Sequence, residues 1–106
     1  MGVSEEYRAA KEKHADEILL IQAGIFYRIM FEDAEKVSSL LGLALRVEGD
    51  AAAPLRFCGF PKSGLDKYIG KLVRSGFSVA VCHQVRAEDG GVRREVSEII
   101  RCSKTS

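Results

Sequence analysis

A chain of 106 residues, 46% hydrophobic and 29% charged, has the make-up of one soluble globular domain, too apolar for a disordered tail and long enough to bury a core without disulfides or metals. Its net charge is only +1, but residues 1–53 carry six Lys/Arg against ten Asp/Glu, a net −4, and residues 54–106 carry ten against five, a net +5. A basic half suits a polyanionic partner and suits a solvated surface equally well.

No apolar run approaches the ~18 residues of a membrane span. "MGVSEEYRAA" lacks the basic-then-apolar order of a signal peptide, so the cytoplasm is the expected compartment. Residues 4–14 predict a first helix with Ser4 as its N-cap and a thin apolar stripe of Tyr7 and Ala10. "EILLIQAGIFYRIMF" then offers two β-rich runs broken by Gly24, a residue that permits a turn or bulge. By the period of two, Ile25, Tyr27, Ile29 and Phe31 form an ordinary core face, while Phe26, Arg28 and Met30 point the other way. An aromatic ring two residues from a guanidinium on that second face has no obvious structural purpose.

"EDAEKVSSLLG" predicts a second helix, with acids at the positive end of its dipole, Gly42 at its C-terminal cap and a stripe of Ala34, Val37, Leu40 and Leu41. "LALRVE" is a strand candidate, "GDAAAP" a loop, and "LRFCGFP" the next strand. Pro61 and Ser63 open the clearest helix, where Leu65, Tyr68, Ile69, Leu72 and Val73 repeat with helical spacing and Gly76 ends the run. "FSVAVCHQV" is apolar or small on both faces, as an interior strand is. After the turn "EDGG", Val92, Val96, Ile99 and Ile100 fit a helical period better than a strand.

Enzyme signatures are weak. "GLDKYIGK" is only faintly like a phosphate loop, has Leu72 where Ser or Thr is needed, and lies inside the best helix. "DAEK" is explained by the acidic start of a helix, and Ser63 has no nucleophile-elbow frame. His14 and His83 have no partner at an interpretable spacing. Cys58, Cys82 and Cys102 are odd in number with no CxxC spacing, which points to small buried thiols, with neither metal nor cofactor expected. Lys67, Lys71 and Arg74 form a stripe opposite the apolar face of their helix, either a solvated face or a row of phosphate contacts. Arg93, Arg94 and Arg101 add charge without a pattern. Phe26 is either second-layer packing or an exposed ring of the kind that stacks on unpaired bases.

"ILLIQAGIFYRIMFEDAEKVSSLLGLAL" followed by "CGFPKSGLDKYIGKLVRSGFSVAVCHQ" resembles the N-terminal mismatch-recognition domain, domain I, of the MutS family of DNA mismatch repair proteins. The likeness runs in order from about Tyr7 to Arg101. It implies that Phe26 is the wedge that stacks on a mispaired base. The Glu two residues on, which bonds that base in the family, is Arg28 here; the Asp before the wedge is Ile25, and the Glu before Gln84 is His83. The ATPase, clamp and lever domains of a full MutS protein have no counterpart in these residues. The sequence is thus an excised first domain or a free-standing relative of it; a native terminus at "CSKTS" favours the second. The resemblance also turns residues 92–101 from helix to strand.

The resulting expectation is a single α/β (α+β) domain over residues 1–106, with a mixed sheet of about five or six strands and about three helices. Its expected function is non-enzymatic DNA binding through Phe26, Arg28, Lys62, Lys67, Lys71 and Arg74 to mismatched, distorted or single-stranded sites, with mismatch specificity altered by Arg28. The alternative is an accessory module on the same scaffold that recruits a repair or reverse-transcription enzyme carrying ATPase or polymerase activity, through the edge of the "LRFCGF" strand.

Overall fold

Interior strands with buried side chains on both faces build the molecule around one sheet with two unequal cores. A computed structural model describes residues 2–49 and 52–102. Asp50 and Ala51 of the expected loop, and residues 103–106 of "CSKTS", lie outside the described residues. The elements are α1 (Val3–Lys13), β1 (Ile18–Ala23), β2 (Phe26–Met30), α2 (Phe31–Leu41), β3 (Arg46–Glu48) and β4 (Leu55–Pro61), then a 3₁₀ turn (Lys62–Gly64), α3 (Leu65–Arg74), β5 (Val79–Arg86) and β6 (Val92–Ile100). They form a mixed six-stranded sheet of order β3-β4-β2-β1-β5-β6, in which only β1 and β5 are parallel. No helix among the described residues is long and apolar enough to cross a membrane.

One face of the sheet presents Leu20, Tyr27, Ile29, Cys58, Phe60 and Val81 to α2 and α3, whose Ala34, Val37, Leu41 and Leu72 complete the larger core. The other face presents Leu19, Ile21, Met30, Phe57, Ala80 and Cys82, and its chief cover is Tyr7 of α1. A single helix does not span six strands. Beyond α1, at the end of β2, the sheet lies open, with Phe26 and Gly59 both exposed.

Asp33 ties α1 to this second face. It is 2% exposed, yet it accepts hydrogen bonds from the Tyr7 hydroxyl at 2.8 Å and the Leu19 amide at 3.2 Å, and pairs with Lys11 at 3.0 Å. A buried carboxylate with three donors is tolerated where an unpaired one is not. Burial, followed by the Asp33 charge and the hydrogen bond to it, holds the Tyr7 phenol well above its usual range.

Several expectations need correction. Helix α1 starts at Val3 with Gly2 at its cap, not at Ser4, because Val3 packs against the Tyr7 cluster and draws the first turn forward. Ile25 belongs to the turn and is 71% exposed. Phe31 does not continue the strand: its φ of 56° turns the chain straight into α2, at a cost of roughly 1–2 kcal/mol for a non-glycine residue. Its ring meets Tyr7 edge-on at 6.0 Å and lies under the Arg8 guanidinium at 4.0 Å. Leu40 is 45% exposed, because it is rotated about 100° from its neighbour Leu41 on the helix. Of "LALRVE" only Arg46–Glu48 pairs, and Cys102 is half-buried, unlike Cys58 and Cys82.

The helical spacing near the C-terminus has a specific origin. Val81 pairs with Glu98 but Cys82 pairs with Val96, so Ser97 is an extra residue in β6. That bulge breaks the period of two: Val96 and Ile99 both pack on the α1 side, and Ile100 packs on the other. Three-residue spacing inside a strand imitates a helix.

Candidate nucleic-acid interface

Strands β1 and β2 are joined by Gly24 and Ile25 alone, since Ala23 pairs with Phe26. So tight a hairpin needs a positive φ at its first central residue, and Gly24 supplies 66°. Two glutamines fix the turn to β5. The Gln84 side-chain oxygen accepts from the Gly24 amide at 2.7 Å, and the Gln22 side-chain oxygen accepts from the Gln84 amide at 2.8 Å. Gln22 also donates to the Gly24 carbonyl at 3.1 Å, and Arg94 donates to the Gln22 carbonyl at 2.6 Å while pairing with Glu6 at 2.9 Å. Side chains thus carry the β1–β5 attachment past its last backbone pair, Ile21 with Cys82. They tie the tip to β5 and β6.

Phe26 is the first residue after this turn and is 46% exposed. Its cross-strand neighbour is Pro61, and that of Arg28 is Gly59. Phe26 and Arg28 therefore share a face, two residues apart. The Arg28 guanidinium lies over the Phe57 ring, 4.6 Å from its centroid. This contact holds the charge close against the sheet face. Gly59 keeps the position opposite Arg28 bare, because a Cβ there would come within 2.9 Å of the Tyr27 carbonyl oxygen.

The expected site residues fall into two groups. Phe26 and Arg28 lie on the α1 face, whereas Lys67, Lys71 and Arg74 lie on α3, which covers the opposite face. Lys67 and Lys71 sit 5.4 and 5.6 Å from the Tyr68 ring, and the Arg74 guanidinium folds back over Gly70. Lys62 stands between the groups. Its amide donates to the Ile25 carbonyl at 2.7 Å, directly behind the turn, and its side chain lines a groove of about 500 Å³ with Tyr27, Asp66, His83 and Gln84.

His83 does have a partner. The Tyr27 hydroxyl lies 2.6 Å from its Nδ1, within hydrogen-bond distance. Burial, then Cys82 and Glu98, raises the Tyr27 phenol above its ordinary range, and burial pushes the Cys58 and Cys82 thiols up to about 11. Arg46 went unremarked because it sits in the acidic half of the chain. It pairs with Phe57 across β3 and β4 and is exposed on the same face as Arg28. Only the strand register could have revealed it.

The fold and this end of the sheet define a small mixed α/β module that presents an aromatic ring and a guanidinium from a rigid hairpin. The sequence model for MutS domain I matches residues 1–104, and the chain belongs to that family. It is 42% identical over 101 residues to the DNA mismatch repair protein MutS of Desulfosudis oleivorans, covering 91% of this chain and 11% of that protein. It is 39% identical over 99 residues to the same-named protein of Rhodopirellula baltica, covering 90% and 11%. With its counterpart in Thermosipho melanesiensis the identity is 41% over 98 residues, covering 90% and 12%. The chain spans little more than a tenth of the length of these relatives.

Proposed function

We propose that this chain is a non-enzymatic DNA-binding module whose hairpin end engages distorted, bulged, mismatched or single-stranded sites. The observation that carries this reading is Phe26, half-exposed on a turn that Gln22 and Gln84 immobilise, with a guanidinium on the same face. A ring held rigidly in solvent has little to gain for the fold and much to gain by stacking on a base. Membership of the MutS domain I family, and the mismatch-repair names of the relatives, support DNA as the partner. A cytoplasmic setting goes with this reading. Phe26, Arg28 and Lys62 form its primary contact set; Lys67, Lys71 and Arg74 are proposed as separate phosphate contacts around the end of the domain.

Arg28 limits mismatch discrimination. A carboxylate accepts hydrogen bonds from a base, whereas a guanidinium only donates, and a good base contact is worth roughly 1–3 kcal/mol of discrimination. The module should therefore bind matched and mismatched duplexes with similar affinity. The test is a competition titration of the unmutated protein, Phe26→Ala and Arg28→Glu against matched, mismatched and single-stranded oligonucleotides at fixed salt. Arg28→Glu should lose affinity overall and partly regain a mismatch preference. A strong mismatch preference in the unmutated protein that survives Phe26→Ala would refute both roles.

A second reading has one specific observation behind it. Strand β4, "LRFCGFP", is paired on both sides and is not a sheet edge, contrary to expectation. Strand β3 is the edge, and Val47 (59% exposed) and Leu45 (42%) stand out there. An accessory role in recruiting a repair or reverse-transcription enzyme with ATPase or polymerase activity would use that edge.

A further inference from the structure

We propose that Arg28 makes the hairpin end a minor-groove reader that favours A·T over G·C pairs beside the unstacked step; this rests on the DNA-binding reading above. The guanidinium is packed on one side against the Phe57 ring. What it offers the edge of a base is its set of N–H donors. Among the described residues no hydrogen bond or ion pair engages those donors. The bare backbone at Gly59 leaves them unscreened on the β4 side, and no side chain could be added there without striking the Tyr27 carbonyl.

Apolar wedges that part base steps enter from the minor groove. Arg28 follows the wedge by two residues, about 7 Å along the strand, and its guanidinium leans farther on, over Phe57 opposite Met30, so its donors lie about two to four base-pair steps from the wedge. At that depth an A·T pair presents only the acceptors N3 and O2, in either orientation. A G·C pair adds the guanine N2 amine, a donor that opposes a guanidinium. Arg28 has no acceptor with which to satisfy that amine. The preference should be confined to the pairs within about four steps of the wedge and be indifferent to A·T orientation.

The experiment titrates the intact protein with duplexes carrying one bulged nucleotide, whose flanking pairs, about four on each side, are A·T, G·C or inosine·C. Inosine lacks the N2 amine, so inosine·C matches A·T in the minor groove while keeping the major-groove acceptors of guanine. A·T and inosine·C flanks should bind alike, and G·C flanks about five-fold or more weaker. Arg28→Met, which keeps an apolar stem over Phe57 without donors, should abolish the difference, and Arg28→Lys should retain part of it. Melting temperatures of both variants confirm that they are folded. Inosine·C binding like G·C, or a preference undiminished in Arg28→Met, would overturn the inference and leave the DNA-binding reading intact. Failure of the unmutated protein to bind any of these duplexes would overturn both.

Discussion

Replacing Phe26 by alanine separates what the ring does for the fold from what it does for a ligand. Fully burying a phenylalanine contributes roughly 1.5–3 kcal/mol, and Phe26 is 46% exposed, so Phe26→Ala should cost only about 1 kcal/mol of stability. In a domain of this size that is a fall of about 4–8 °C in Tm. Phe60 is the control: it lies in the larger core at 1% exposure, and Phe60→Ala should cost about 3–5 kcal/mol. Stacking on one base is worth about 1–3 kcal/mol, so Phe26→Ala should weaken binding to a bulged or single-stranded site by about 5- to 150-fold. Matched duplex, whose bases resist unstacking, should lose far less. Differential scanning calorimetry gives the first quantity and anisotropy competition the second. Equal losses on bulged and matched DNA, or an unchanged affinity for the bulge, would refute the wedge.

Gln84→Leu removes the acceptor for the exposed Gly24 amide and should cost about 0.5–1.5 kcal/mol, while weakening binding to bulged DNA. Normal bulge affinity in that variant would show that the turn does not need its clamp. Tyr7→Phe strips one donor from buried Asp33 and should destabilise by about 1–3 kcal/mol in urea unfolding with DNA affinity unaltered. Tyr7, Tyr27, Cys58 and Cys82 are all held neutral by burial, with ionisation raised above ordinary values of 10.0 for the phenols and 9.0 for the thiols. Only the unfolded chain ionises as pH climbs from about 9, so stability should be full below that and decline above it; a flat profile to pH 11 would contradict the raised values. Lys62→Gln and the pair Lys67→Gln, Lys71→Gln should each lower the salt dependence of DNA affinity by about one per phosphate contact removed, and an unchanged slope for the α3 pair would confine binding to the hairpin end.

The local parts of this site could be read directly from the residues. Gly24 between two β-rich runs forecasts the hairpin, and the period of two puts Phe26 and Arg28 on one face, as they are. Helix α3 was also plain, because five apolar residues share one stripe and neighbouring side chains decide it. What could not be read depends on register between distant segments. The contact of Arg28 with Phe57 requires β2 to pair with β4 in one particular alignment, and the glutamine clamp joins positions 22 and 84 across the parallel pair. The same dependence hid Arg46, and it put the α3 stripe on the far side from Phe26. Ser97 misled in the opposite direction: one unpaired residue in β6 gave a strand the spacing of a helix. Phe31 did likewise, since nothing in "IMFEDA" announces a left-handed residue where strand passes directly into helix.

DNA is expected to meet the protein at its hairpin end. An NMR titration of backbone amides with a duplex carrying one bulged nucleotide tests it most directly. Shift changes should centre on Gly24, Ile25, Phe26 and Arg28, extend to Gly59 and Lys62 and be absent from β3. Changes confined to the Arg46–Glu48 edge, or no change at low salt, would contradict it.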